Sequence, residues 1–170
     1  MKKNTLQLLL LVIVILLSYN AYSQSVFEVP RDVILTTKPD YAKYNSAIIG
    51  AANWIEQTDL DKEKEKRVKV NEFVMKWISG SPTVSVPINE GVMKLIGKNS
   101  QLLMVYMSSF AKTVLEHPDV NNLVAQEKAG ITSIANVYKK GIEIQKNKEL
   151  ERVMRLTDSE LDSYIAERLK

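Results

Sequence analysis

Val70, Phe73, Val74, Trp77 and Ile78 stand at i, i+3, i+4, i+7 and i+8, the cleanest helical period in the chain. Side chains at those spacings share one face of a helix, and that face must be covered by other elements. Upstream, Tyr44, Ile48, Ala51, Ala52 and Ile55 recur near the same period, with Trp54 widening the stripe. Pro39 steers the residue before it away from helix, so this helix is predicted to run from Tyr41 to about Gln57 with Asp40 as its N-cap. Downstream, Asn89 opens a short helix carrying Val92, Leu95 and Ile96 and broken near Gly97. Asn99 or Ser100 caps the next, whose core face is Leu103, Tyr106, Met107, Phe110 and Val114 and which stops before His117 and Pro118. A long helix from Asp119 carries Leu123, Ile131, Ile134, Tyr138 and Ile142. Gly130 and Gly141 lie within it, each costing about 1 kcal/mol against alanine, and a glycine on a buried face marks a close helix approach. Lys148 to Leu156 reads as helix, and Thr157 to Glu160 forms a capping box ahead of Leu161, Tyr164, Ile165 and Leu169.

Two stretches depart from this period. Residues 24–39 contain Pro30 and Pro39 and alternate in character, which predicts an extended arm. Ser79-Gly80-Ser81-Pro82 ends the Val70–Ile78 helix, through a glycine able to turn left-handed and a proline that cannot continue the ladder. Thr83 to Val86 then alternates with β-branched side chains and reads as a short strand, whose partner would be Val33-Ile34-Leu35 because a lone strand leaves its backbone unpaired. The expectation is an all-α fold: one bundle-like domain of about six helices over 40–170, with the arm and a minor β element. No linker or low-complexity tract divides it. The eight-residue spacing of Phe110 and Pro118 is that of tetratricopeptide repeats, but the small residues of that pattern are not in place.

Residues 1–23 change the picture of charge and address. Lys2 and Lys3, an apolar run from Leu6 to Leu17, and Ala21-Tyr22-Ser23 make an export signal, cleaved between Ser23 and Gln24. The run is about twelve residues, short of the roughly 20 that cross a bilayer core, so an uncleaved anchor is the alternative reading. Cleavage lowers the 23 Lys and Arg to 21 against 20 acidic residues, and the net charge from +3 to +1. A nearly neutral domain that interleaves its signs from Asp61 to Lys69 lacks the basic face of a nucleic-acid binder. Within that run Glu63 with Arg67 and Glu65 with Lys69 have the favourable i,i+4 order, which predicts a solvated N-terminal half of the Val70–Ile78 helix with Asp59 as its cap. Cysteine is absent, which removes disulfides, thiolate metal sites and cysteine nucleophiles.

Candidate chemistry is sparse. His117 is the only histidine, so paired-histidine metal sites are impossible, and Ser79 or Ser81 with His117 and Asp119 lacks the elbow motif of a serine hydrolase. Asp158 with Asp162, and Glu149 with Glu151, are the acid pairs that an alternative carboxylate-based hydrolase or lyase would use, although capping and helix geometry explain them. No phosphate loop, calcium loop or dinucleotide fingerprint is present, and no cofactor or metal is indicated. Trp54 and Trp77 read as core. Met93, Met104 and Met107 form a soft stripe of the kind that fills cores or adaptable surfaces. Ser79, Gly80, Ser81, Pro82 and Thr83 form the candidate partner-binding loop. The function expected is that of an exported, periplasmic or secreted, non-enzymatic domain that binds another protein.

Overall fold

A computed structural model of the protein describes residues 27–119 and 122–168. Eight helices and no strand occur among them: α1 Lys38–Ala42, α2 Asn45–Gln57, α3 Lys64–Gly80, α4 Glu90–Ile96, α5 Gln101–Glu116, α6 Leu123–Lys139, α7 Lys148–Val153 and α8 Asp158–Arg168. The stretch expected to be an export signal and its expected Ser23–Gln24 junction lie outside the described residues. No described helix is long and apolar enough to cross a membrane.

The axis of the fold is α5. It packs along α6 and against α2 and α3, while α8 lies on α6 and α7 on α4. Leu102, Val105, Tyr106, Phe110 and Ala111 on α5 are almost completely buried. They meet Ile48, Ile55, Val70, Val74 and Trp77 from α2 and α3 and Ile131 and Ile134 from α6 in one continuous core. The four aromatic residues Phe73, Trp77, Tyr106 and Phe110 are all buried, as their helix faces require. Trp54 is buried too, and the Trp77 indole Nε1 donates to the Tyr41 carbonyl at 3.0 Å.

Helices α5 and α6 approach closely because residue 130 has no side chain. A Cβ built there would stand 2.5 and 2.7 Å from two ring carbons of Tyr106 and 3.2 Å from the Tyr106 carbonyl oxygen. Gly141 plays the other role, since its φ of +69° lies just beyond the end of α6. The long helix therefore stops at Lys139 and leaves Ile142 in a loop.

Several expected elements take different forms. Tyr41–Gln57 is split near Tyr44, and Asp40 is not the N-cap but the N3 partner of a capping box on Thr37, accepting from the Thr37 N–H at 2.9 Å. The minor β element does not form among the described residues: neither the arm nor the Thr83–Val86 segment is a strand, and no ladder joins them. Anchoring by side chains replaces pairing, with Val84 buried in the core and Lys76 Nζ donating to the Val33 carbonyl at 2.9 Å. Asn99 does not cap α5. It is buried and clamps the distant loop, its Nδ2 donating to the Gln145 carbonyl and its Oδ1 accepting from the Gln145 N–H. The helix expected from Asp119 begins at Leu123, where Asn122 accepts from the Ala125 N–H. At α4 and α8 the expected caps are in place: Asn89 accepts from the Val92 N–H, and Thr157 and Glu160 bond reciprocally.

The charge run holds the largest departure. Helix α3 starts at Lys64 after Glu63 adopts a left-handed φ of 44°, so Asp59 does not cap it. Glu63 pairs with Lys66 rather than Arg67. Arg67 turns inward and is buried, its Nη2 donating to the carbonyls of Thr58 at 2.7 Å and Asp59 at 3.1 Å just past the end of α2. Its guanidinium also covers the Trp54 ring, 5.2 Å from the centroid. A cation over the open carbonyls of a helix C-terminus satisfies acceptors that have no partner within the helix.

Candidate binding groove between the arm and the third helix

The arm is pinned at two points. Phe27 is buried, with its ring stacked 6.5 Å from that of Phe73, which also meets Tyr44 edge-on at 6.0 Å. Gly50 makes room for it, since a Cβ there would stand 3.2 Å from a Phe27 ring carbon. The second pin is the Lys76–Val33 hydrogen bond. Between the pins, Asp32 takes a left-handed φ of 52° and redirects the chain. Residues 28–31 and Val33 thus form one wall of a groove of about 950 Å³, and α3 forms the other.

Its surface is amphipathic. Val29, Pro30, Val33 and Phe73 supply apolar area, and the rim carries five cations and four carboxylates. Some of these charges are engaged: Lys64 pairs with Glu143, and Lys66 pairs with Glu63 while lying over Trp54. Arg31, Lys69, Glu28, Glu65 and Glu72 form no ion pair among the described residues. Free charges of both signs beside an apolar floor do not favour a polyanion. They match the mixed chemistry of a polypeptide segment.

The residues singled out from sequence sit elsewhere. Ser79 and Gly80 form the last turn of α3, and Gly80 is not left-handed; it is there because a side chain would overlap the Tyr41 hydroxyl. Ser81 Oγ accepts from the N–H groups of Thr83 at 3.3 Å and Val84 at 3.1 Å, which closes the turn. Pro82 and Thr83 are exposed, but none of the five lines the groove. His117 is exposed at the end of α5, near Thr83 and Ser85.

The acid pairs are taken up by structural bonds. Asp158 and Asp162 both bind Lys128 Nζ, at 2.6 and 2.9 Å. Glu149 accepts from Arg152, Arg168 and the Tyr164 hydroxyl, and these bonds, that from Arg152 foremost, hold its carboxyl down at about 2. The methionines divide: Met107 is buried and Met93 is exposed. No group of three or more metal-ligating acids or histidines comes together among the described residues.

Two polar sites escape sequence reasoning. Ser133 Oγ lies 2.9 Å from Glu56 Oε2 and 2.8 Å from Ser109 Oγ, where α2, α5 and α6 meet; Asn136 Nδ2 donates to the other Glu56 oxygen. Hydroxyls at a crossing of helices are bonded to what faces them, and here they tie three helices together. The second is Glu127 on α6, only 2 % exposed, its carboxyl pushed up by burial. Its position three residues before Gly130, on the side of the helix turned to α5, is the one hint of burial in the sequence. Compared with known proteins, the chain matches no family model, no curated protein and no solved structure.

Proposed function

We propose that this protein is an exported, non-enzymatic helical domain that works by holding a segment of another protein in the groove between the arm and α3. The groove carries this reading: about 950 Å³ of open, amphipathic space, with charges of both signs on its rim that form no ion pair among the described residues. Export rests on the composition of residues 1–23, whose basic head, short apolar run and small residues before Gln24 suit cleavage and release.

A photo-crosslinking amino acid placed at Arg31 or Lys69 in the producing cells tests the binding reading, with Thr132 on the exposed side of α6 as the control position. Discrete adducts to an envelope or extracellular protein are expected from the groove positions and not from Thr132. Identical adduct patterns at all three positions would remove the groove from consideration. Intact mass of the released protein tests export, with an N-terminus at Gln24 expected; a retained Met1 would favour a membrane anchor.

A further inference from the structure

Asn89 joins two structural roles in one side chain. Its Oδ1 accepts from the Val92 N–H at 2.9 Å and so caps α4, while its Nδ2 donates to Glu127 Oε1 at 3.4 Å. The Glu127 carboxylate is therefore in contact with the start of α4, and it is buried at the junction of α6 with that start. A long hydrogen bond from a neutral amide offsets little of the cost of placing a charge out of water. From α5, the Tyr106 hydroxyl anchors the same segment by donating to the Pro87 carbonyl at 3.2 Å.

We propose that Glu127 is a pH-responsive latch on the 81–89 segment and α4: protonated, it leaves Asn89 docked on α6, and ionised, it favours an opened state in which water reaches the carboxylate. Charged groups on the packed elements do not relieve it. On α4, Glu90 pairs with Lys94; on α8, Arg168 is engaged with Glu149; on α2, Glu56 is bonded to Ser133 and Asn136; on α5, Lys112 binds Asn53. Lys128, beside it on α6, is held by Asp158 and Asp162. The Tyr106 hydroxyl feels the Glu127 charge and is itself pushed up, mainly by burial, while no cation offsets the burial of the carboxylate.

The direction follows from linkage. Burial raises the Glu127 pKa in the closed state above that of a solvated glutamate, so the closed state is favoured in acid and loses ground as pH rises above about 4.3. The open-to-closed ratio then grows by up to about tenfold per pH unit, until the closed-state pKa is passed. What opens is the segment that carries Val84 and Val92, both buried, beside the exposed side chains of Ile88 and Met93.

Because the chain has no cysteine, single-cysteine reporters are clean. Val92→Cys places a thiol at a buried position of α4 and Met93→Cys places one at its exposed neighbour, which corrects for the pH dependence of the labelling reagent. In the purified protein the ratio of labelling rates, Val92→Cys over Met93→Cys, is expected to rise from pH 5 to pH 8 with Glu127 present and to stay flat when Glu127→Gln is added. A flat ratio in both backgrounds, or an equal rise in both, overturns the latch. Hydrogen exchange of the α4 amides, corrected for intrinsic rates and measured without any cysteine substitution, reads the same opening independently of whether Val92→Cys folds. Equal pH slopes for the protein and its Glu127→Gln variant would again overturn it.

Discussion

Replacing Gly130 with alanine sets two effects of known size against each other. Alanine in mid-helix is worth about 1 kcal/mol over glycine, so local propensity predicts a more stable protein. The new Cβ would stand 2.5 and 2.7 Å from carbons of the Tyr106 ring, where ordinary carbon contacts lie at about 3.5–4.0 Å. Relief requires a shift of roughly 1 Å. Tyr106 has nowhere to go: it is fully buried, its hydroxyl is committed to the Pro87 carbonyl, and its ring lies 6.2 Å from that of Phe110. The Tyr106 carbonyl oxygen at 3.2 Å adds that the α5 backbone itself must retreat. Overpacking of this kind costs about 1–3 kcal/mol, and the upper part of that range applies because backbone as well as ring is in the way. Sterics win by about 1–2 kcal/mol, and Tm falls by about 2–8 °C for a domain of this size. Thermal unfolding followed by far-UV circular dichroism measures it. The decisive comparison repeats Gly130→Ala in a Tyr106→Leu background, where the ring carbons are gone and the substitution becomes neutral or mildly stabilising. An unchanged or raised Tm for Gly130→Ala alone, or an equal loss in both backgrounds, would refute the reasoning.

Arg67→Ala removes the donor from the Thr58 carbonyl and leaves the Asp59 carbonyl only its bond from the Lys62 N–H, and is expected to cost about 2–3 kcal/mol in urea unfolding. Arg67→Lys should recover less than half of that, because a single ammonium cannot reproduce the guanidinium fork. Glu149, held down at about 2 by Arg152, Tyr164 and Arg168, contributes stability that is fully present above the unfolded value of about 4.3 and is lost as pH falls toward 2. The Tm of the protein should therefore drop more steeply over that interval than that of Glu149→Gln, and parallel acid limbs would count against the cluster. Thr157→Ala removes the capping box of α8 and should cost about 1 kcal/mol, with the α8 amides losing hydrogen-exchange protection ahead of those of α5.

Local signals were readable wherever one residue's role depends on its near neighbours. The Asn89 cap and the Thr157–Glu160 box are such cases, because a side-chain oxygen three residues from an open N–H will find it in any fold. Other helix starts were displaced: Asp40 takes the N3 place in a capping box whose N-cap is Thr37, and Glu63 rather than Asp59 precedes α3. The Thr83–Val86 alternation reads as a strand but forms none, since a buried Val84 accounts for the same alternation without a ladder. Of the candidate site, the arm was visible as an element from its prolines. The groove was not, because its second wall lies on α3, more than thirty residues away in sequence.

By itself the sequence determined which side chains share a helix face, and with them the all-α class and the burial of Phe73, Trp77, Tyr106 and Phe110. Period is a property of one helix and needs no knowledge of what covers it. Only the tertiary structure decided what the charged and small residues do. Arg67 belongs to a charge run like its neighbours, yet it turns in to the carbonyls past the end of α2, beside those that Lys140 bonds; Glu127 resembles any helical glutamate until the start of α4 closes over it. A charge is stabilised or penalised by whatever the packing of distant elements sets beside it, and that juxtaposition is written in no local pattern.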